Sequence, residues 1–151
     1  MYTEHLTQRL GIAAAVAPQT LTTTTTVNSG KVDLSMFRRA LFLFETGVFG
    51  GTGPTLSAIL QIQDSPDGSA WSNNATVPSA TVTAESKQAT LEIRADQLNS
   101  GARYVRLQAV CTIGGTSPTI PVAIVGFGDE AAHKPGSAQN DASVVSQTVV
   151  N

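Results

Sequence analysis

The segment from Leu56 to Trp71, LSAILQIQDSPDGSAW, constrains the fold of this chain more than any other part of its sequence. Apolar and polar residues alternate along its first half, with Ile59 as the exception, and a two-residue period is typical of a strand buried on one face. The turn Ser65-Pro66-Asp67-Gly68 follows, in which proline fixes φ, aspartate bonds the nearby backbone and glycine accepts positive φ. Trp71, the only tryptophan, comes next, and we expect it to fill the core. The residues expected on the buried face are Leu56, Ala58, Leu60 and Ile62.

Further segments also have the patterns of strands. Residues 37–45, FRRALFLFE, are apolar on both faces, which is typical of a central strand covered on both sides. Residues 88–94 and 103–113 alternate between apolar and polar side chains. Residues 119–127 form a last apolar run, and Pro121 within it predicts an edge position or a strand start. The prediction is an all-β chain with three regions: an N-terminal arm over 1–30, a single antiparallel β-sandwich of jelly-roll or immunoglobulin-like type over 31–128, and a C-terminal tail over 129–151.

The two terminal regions have their own local patterns. Residues 13–17, AAAVA, favour a short helix that Pro18 ends. Residues 20–27, TLTTTTTV, are rich in β-branched threonine, which predicts an edge strand or an extended strap, with low-complexity disorder as the alternative. Residues 142–150, ASVVSQTVV, are mildly β-prone and are predicted to add a strand to a neighbouring molecule.

The charge of the chain argues against several classes of partner. Charged residues make up 13% of the sequence and the net charge is −2, without a basic run, so we expect no nucleic-acid binding. No apolar run approaches the roughly 20 residues of a membrane-spanning helix, and no membrane partner is expected. A signal peptide is not expected either, because Glu4 lies where basic residues are needed and the apolar run after Arg9 is short.

Candidates for catalysis and metal binding are few. His5 and His133 lie in the two terminal regions, without a nearby cluster of cysteine or glutamate, and we expect them to be plain surface residues. Cys111, the single cysteine, falls on an inward strand position, which predicts an inert core thiol. Asp64 and Asp67 flank the turn, but their spacing does not match a calcium loop. We therefore expect no enzyme activity, no cofactor and no metal.

The combined pattern resembles a known family. A strand FRRALFLFETG is followed by a glycine-rich loop, by LQIQDSPDGSAW, and by ARYVRLQAVCTIGGTSPTIPVAIVG. This resembles the small β-sandwich virion proteins of tailed bacteriophages over residues 33–127. The resemblance implies a capsid cement or decoration protein that binds the outside of the shell and stabilises the head. Its partners would be the major capsid protein and further copies of itself, as a dimer or trimer on the capsid. It would be made in the host cytoplasm and located on the capsid surface.

Residues expected to contact the capsid or a partner lie in four places: the threonine run, the start of the strand at 37–45, the glycine-rich loop and the C-terminal tail. For Arg38 and Arg39, at the start of that strand, the alternative interpretation is a strand end exposed to solvent. The glycine-rich loop does not match a phosphate-binding loop, because no lysine or helix pattern follows it. The predicted contact residues are Thr22, Thr24, Thr26, Arg38, Arg39, Phe49, Val144, Val145 and Val149.

Two alternative functions remain at this point. The first is a carbohydrate- or receptor-binding sandwich of a phage tail or fibre, with Trp71, Tyr104 and Asp67 as candidate ligand contacts. An exposed Trp71 beside an open groove would favour it, whereas the aromatic content of 5% weighs against a sugar-binding platform. The second alternative is a head–tail connector or tail component.

Overall fold

The computed structural model describes residues 4–148. This part of the chain consists mainly of β-strands, in two antiparallel sheets that share one hydrophobic core, and the prediction of an all-β sandwich is confirmed. The elements in chain order are α1 (Leu6–Arg9), β1 (Gly11–Leu21), β2 (Thr25–Asn28), β3 (Val32–Asp33), β4 (Phe37–Thr46), β5 (Gly50–Ser65), β6 (Ser72–Asn73), β7 (Ala80–Val82), β8 (Gln88–Arg94), a 3-10 turn (Ala95–Gln97), β9 (Tyr104–Ala131) and a second 3-10 turn (Gly136–Gln139).

The long strand β9 belongs to both sheets. Its second half pairs with β4 on one side and β1 on the other, and β8 lies beyond β4; these strands form sheet A. Its first half pairs with β5 on one side and with β2 and β3 on the other, and β6 and β7 pair with the far side of β5; these strands form sheet B. One continuous strand therefore joins the two layers of the sandwich.

The core is built from alternate residues of the strands, as the two-residue period predicts. The four residues of β5 expected inside are confirmed, since Leu56 is 4% exposed and the other three are fully buried. β4 is confirmed as a central strand, paired with β8 and β9, and its Phe42 and Phe44 are fully buried, but its other face is not fully covered, because Leu41 is 36% exposed. Burying such a side chain stabilises the fold by roughly 1.5–3 kcal/mol.

The segment around Pro121 lies in the interior of sheet A, not at its edge. Val122 pairs with Thr46 of β4, and Pro121 itself pairs with Thr20 of β1. The predicted edge position is therefore wrong, and so is the alternative of a strand start, because β9 is continuous over Tyr104–Ala131. Proline is tolerated because it lies where the sheet A pairing of β9 begins, next to Ile120.

The N-terminal region contributes strands to both sheets. Residues 13–17 lie in β1 and pair with β9, so the predicted helix is wrong and the only α-helix of the described region is α1. Alanine favours a helix by less than about 1 kcal/mol per residue, and pairing with β9 together with the burial of Ala14 outweighs this preference. The threonine run forms β2 in its second half, at the edge of sheet B. Residues 11–28, expected in an arm, are thus part of the sandwich.

The C-terminal region folds back along β1. The backbone N–H of Asp141 donates to the carbonyl of Ile12 at 2.7 Å, and the Asn140 side chain accepts a hydrogen bond from the N–H of Ile12 at 2.8 Å. Within this chain, residues 142–148 form turns and irregular structure, and the predicted addition of a strand to a neighbouring molecule stays a prediction. The Asp141 carboxylate accepts hydrogen bonds from both the N–H and the hydroxyl of Ser143, which closes a local turn instead.

A buried carboxylate connects two loops to the end of β5 in sheet B. Asp64, at the end of β5, is 1% exposed. It accepts hydrogen bonds from the side chain of Asn74 at 2.8 Å and from both the backbone and side-chain N–H groups of Asn99 at 2.9 Å. The hydroxyl of Ser72 lies 3.4 Å from it. Its role is to hold the loops before β7 and β9 against the end of β5.

We predict that Asp64→Ala lowers the free energy of unfolding by about 2–4 kcal/mol, because the amide donors of Asn74 and Asn99 lose their acceptor inside the protein. Urea unfolding measures this loss, provided that the free energy of unfolding depends equally steeply on urea concentration in wild type and variant. Asp96→Ala is the control, since its ion pair with Arg94 is exposed and its loss should change stability by less than about 0.5 kcal/mol. Equal stability of the two variants would contradict the role assigned to Asp64.

An ion pair attaches α1 to sheet A and generates a pH prediction. Arg9 donates to both carboxylate oxygens of Asp129, at 2.8 and 2.7 Å, and this bonding lowers the pKa of Asp129 although partial burial opposes the shift. The folded pKa of Asp129 therefore lies below its unfolded value of about 3.9. Above that pH the ion pair contributes fully to the free energy of unfolding, and this contribution disappears as the pH falls through the folded pKa. Wild type should exceed Asp129→Asn in stability by up to about 1 kcal/mol at pH 7, and the difference should vanish near pH 2–3. Urea unfolding at several pH values measures this difference, and a difference independent of pH would contradict it.

Candidate functional site

The first candidates for a functional site are metal-binding clusters and the single cysteine. Within residues 4–148, no group of three or more histidine, cysteine, aspartate or glutamate side chains lies close enough to hold a metal ion. Over the same residues, no helix has the length and apolar character needed to cross a membrane. Cys111 is fully buried, and burial raises the pKa of its thiol to about 11, so it remains protonated at neutral pH. The surfaces of the sandwich are therefore the candidates for function.

The first candidate surface is an uncharged end of the sandwich. Residues 46–63 contain no charged side chain, and neither do residues 107–128. The pairing of β9 with β4 and β5 brings the two segments together where β4 ends and β5 begins. Glu45, Glu85 and Lys87 are the charged residues near this end, whereas most other charges lie toward the opposite end.

A two-stranded ribbon projects from the uncharged end. It consists of residues 50–55 of β5 paired with residues 114–119 of β9, and most of its residues are exposed. Gly51 and Gly115 have φ of 103° and 111°, and the register shifts twice along residues 50–55. Such irregularities twist an edge and oppose the uncontrolled addition of further strands. Val48, at the base of the ribbon, is 70% exposed.

Three of the predicted contact residues lie at the uncharged end. Thr22 and Thr24 are exposed on the crossing between β1 and β2, and the hydroxyl of Thr24 accepts a hydrogen bond from the N–H of Ile113 at 2.9 Å. Phe49 lies at the same end but is half-buried against the core, and its N–H donates to Glu85 at 2.8 Å. Val48, which the sequence analysis did not select, is the apolar side chain that reaches solvent there.

The other predicted contact residues are dispersed. Thr26 is exposed on the outer face of sheet B, opposite Val110. Arg38 and Arg39 lie at the end opposite the ribbon, where Arg39 donates to Glu130 at 2.8 Å. Two valines of the C-terminal region line an apolar groove together with β1. These are Val144 and Val145; Val149 lies outside the described residues.

The second candidate surface lies on the outer face of sheet B. Trp71 is half-buried there, and the guanidinium of Arg106 lies 4.4 Å from the centroid of its ring. The prediction that Trp71 fills the core is wrong. The reason is that β9 directs Val105 and Leu107 inward and Arg106 outward, and Trp71 packs against the outward side chain.

The turn before Trp71 forms as predicted. Gly68 has φ of 77°, and its N–H donates to the hydroxyl of Ser65 at 2.9 Å. The Asp67 carboxylate accepts hydrogen bonds from the backbone N–H groups of Ala70 and Ser69, at 3.0 and 2.8 Å, and these bonds lower its pKa. The hydrogen bonds of the turn therefore account for the position of Asp67.

A row of amide side chains continues from Trp71 across sheet B. Gln63 accepts hydrogen bonds from two nitrogens of Arg106, at 2.9 and 2.7 Å, and donates to Asn73 at 2.9 Å and to Gln108 at 3.2 Å. Gln108 in turn lies 3.4 Å from the side-chain oxygen of Asn28. The row spans four strands, and sequence reasoning missed it because cross-strand neighbours are not adjacent in sequence. The outward positions of Gln63 and Arg106 on their strands were the available signal.

Comparisons with known proteins yield only distant structural likeness. No family model matches the chain, and no curated protein matches it. A solved structure described as "CBM4 structure and function" is 13% identical, with a TM-score of 0.41, over 69% of this chain and 60% of that one. The family 11 carbohydrate-binding module from Clostridium thermocellum, in complex with a β-1,3-1,4-mixed-linked tetrasaccharide, is 12% identical, with a TM-score of 0.33, over 87% of this chain and 94% of that one. Likeness at this level does not establish a shared function.

The surface position of Trp71 generates a stability prediction. Trp71→Ala should lower the free energy of unfolding by about 1 kcal/mol, because it removes a partly solvated contact with Arg106. The matched control is Phe42→Ala, which empties a core position and should lower it by about 3–5 kcal/mol. Urea unfolding followed by circular dichroism measures both. Equal losses of stability for the two variants would mean that Trp71 is a core residue, which would contradict the surface position.

Proposed function

We propose that this chain is a non-enzymatic virion protein of a tailed bacteriophage, of the cement or decoration type, which binds the outer surface of the major capsid protein and stabilises the head. Two observations support the proposal: the resemblance over residues 33–127, and the uncharged end with its projecting ribbon. The second observation carries it, because an uncharged surface can be buried against a protein partner at a low desolvation penalty.

The physical basis is the low desolvation penalty of that end. A charged side chain that is buried at an interface without a partner opposes binding by several kcal/mol, whereas threonine, glycine and valine do not. Thr22, Thr24 and Val48, together with the ribbon, offer hydroxyl and apolar groups without such a charge. On a symmetric shell the same weak contact recurs many times, and contacts between neighbouring copies of the chain add avidity.

The charged residues at the opposite end would then face solvent or a neighbouring copy. Arg39 has its own partners there, at 2.8 Å from Glu130 and 3.7 Å from Glu92. This arrangement favours the alternative interpretation of Arg38 and Arg39 as a solvated strand end. The capsid contact is accordingly assigned to the uncharged end.

Co-sedimentation with capsids that lack the protein tests the proposal. The double variant Val48→Asp with Thr116→Asp should weaken binding at least tenfold, because it places two unpaired charges in the contact, and tenfold corresponds to about 1.4 kcal/mol. Ser100→Asp is the control, since Ser100 is exposed near the opposite end. Urea unfolding verifies that all forms are folded. If the double variant binds capsids as wild type does, the uncharged end is not the contact.

A second candidate function is carbohydrate binding by a virion tail or fibre module. The observation that favours it is the position of Trp71 on the surface of sheet B, beside a row of amide side chains. Aromatic rings together with a few convergent polar groups are typical of small-ligand sites. The two candidates use different surfaces, so variants of one surface leave the other intact.

A further inference from the structure

We infer that the outer face of sheet B around Trp71, Tyr104, Arg106 and Lys31 binds a glycan that carries carboxylate groups, such as a uronic-acid polymer. This surface is named the aromatic face. It is separate from the uncharged end, so the inference is independent of capsid binding. It rests on the second candidate function and makes it specific by naming the charge of the ligand.

The cluster is compact because three parts of the fold meet there. Tyr104 and Arg106 project from the same face of β9, two residues apart, which places their Cα atoms about 6.5–7 Å from each other. Lys31 precedes β3, and its ammonium lies 4.7 Å from the centroid of the Tyr104 ring. The turn at Gly68 lies against Lys31, since a Cβ at Gly68 would come within 2.7 Å of the lysine nitrogen. From this turn the chain continues to Trp71, which lies beside Arg106.

Two of the cations in the cluster have no carboxylate partner among residues 4–148. Arg103 is paired with Asp33. Arg106 instead donates two hydrogen bonds to the neutral side chain of Gln63, and neither Arg106 nor Lys31 forms an ion pair within the described chain. The nearby Asp67 carboxylate is held at Oδ1 by backbone N–H groups of its own turn and forms no ion pair with Arg106 or Lys31 within residues 4–148. Arg106 and Lys31 are therefore available to pair with an external anion.

The geometry of Arg106 suits a carboxylate. Gln63 and the Trp71 ring hold the guanidinium in one orientation, so that little side-chain entropy is lost when it binds. Guanidinium groups have donors on three nitrogens, and Gln63 engages Nε and Nη2, which leaves Nη1 for a ligand oxygen. Planar carboxylates match this arrangement of donors well.

The surroundings favour a glycan over an acidic peptide. In the amide row beside Arg106, Gln63 is buried and its amide is fully engaged, whereas the exposed Asn28 and Asn73 and the half-buried Gln108 offer amide groups to the hydroxyl groups of a ligand. A peptide that bound as an added strand would need a free edge, and this part of β9 has none. Val105, between Tyr104 and Arg106, is paired on one side with Val32 and on the other with Asp64. A ligand must therefore approach from above the sheet, by side-chain contacts alone.

Affinity electrophoresis of the full chain tests the inference, with polygalacturonate as the acidic polymer and fully methyl-esterified polygalacturonate as its neutral match. Wild type should be retarded by the acidic polymer at least tenfold more strongly than by the ester, and added salt should weaken the retardation. Arg106→Gln should weaken binding to the acidic polymer tenfold or more, and Lys31→Gln should weaken it about threefold to tenfold. Arg38→Gln, an exposed arginine at the same end of sheet A, should bind as wild type.

Each other outcome has a defined meaning. Equal binding of the acidic polymer and its ester would overturn the acidic specificity and leave carbohydrate binding as a candidate. Binding of poly-glutamate as strong as that of polygalacturonate would overturn the glycan in favour of an acidic protein. Failure to bind polygalacturonate, alginate and hyaluronan would overturn the inference altogether. Because Lys31 is exposed, Lys31→Gln remains informative even if Arg106→Gln fails to fold.

Discussion

The pairing of β9 on both of its sides is the interaction on which the rest of the structure depends. Its first half holds β5, β2 and β3, and its second half holds β4 and β1, so that removing it would leave neither sheet with a centre. Because successive residues of a strand point to opposite faces, the same strand supplies Leu107 and Ile124 to the core and Arg106 to the outer surface. Core formation and the presentation of surface side chains therefore share one physical constraint, which is the register of β9.

This constraint also separates the two candidate surfaces. Where β9 and β5 continue past the core, their paired extensions form the ribbon, and the sequences of both are uncharged. At the other end of the sheet B portion, the outward residues of β9 are Tyr104 and Arg106, which meet Lys31 and Trp71. An uncharged end suits the burial of a broad protein contact, whereas the aromatic face has a fixed guanidinium and two cations that form no ion pair among residues 4–148. The two candidate surfaces thus differ in their chemistry although one strand contributes to both.

Local patterns predicted the fold well and the candidate sites only in part. The alternation from Leu56 to Ile62 and the apolar faces of residues 37–45 depend on neighbours in sequence, and the structure confirmed both the buried positions and the central strand. The turn at Ser65–Gly68 was predicted for the same reason. The helix prediction for residues 13–17 was wrong because their alanines favour a helix locally, whereas the strand with which they pair lies more than 100 residues away in β9. The prediction of a core position for Trp71 was wrong because it relied on the size of the side chain. Its position on the outer face is set by Arg106 on another strand.

The sequence by itself determined the class of the fold, the buried face of the main strands and the scarcity of charge, because each follows from composition or from a period of two residues. Only the tertiary structure decided which side chains act together. It brought Gln63, Trp71 and Arg106 into contact, buried Asp64 among the amides of distant loops, and gathered two uncharged segments into one end. The physical reason is that sheet pairing is non-local: the register between strands far apart in the chain depends on the whole core, and no local pattern encodes it.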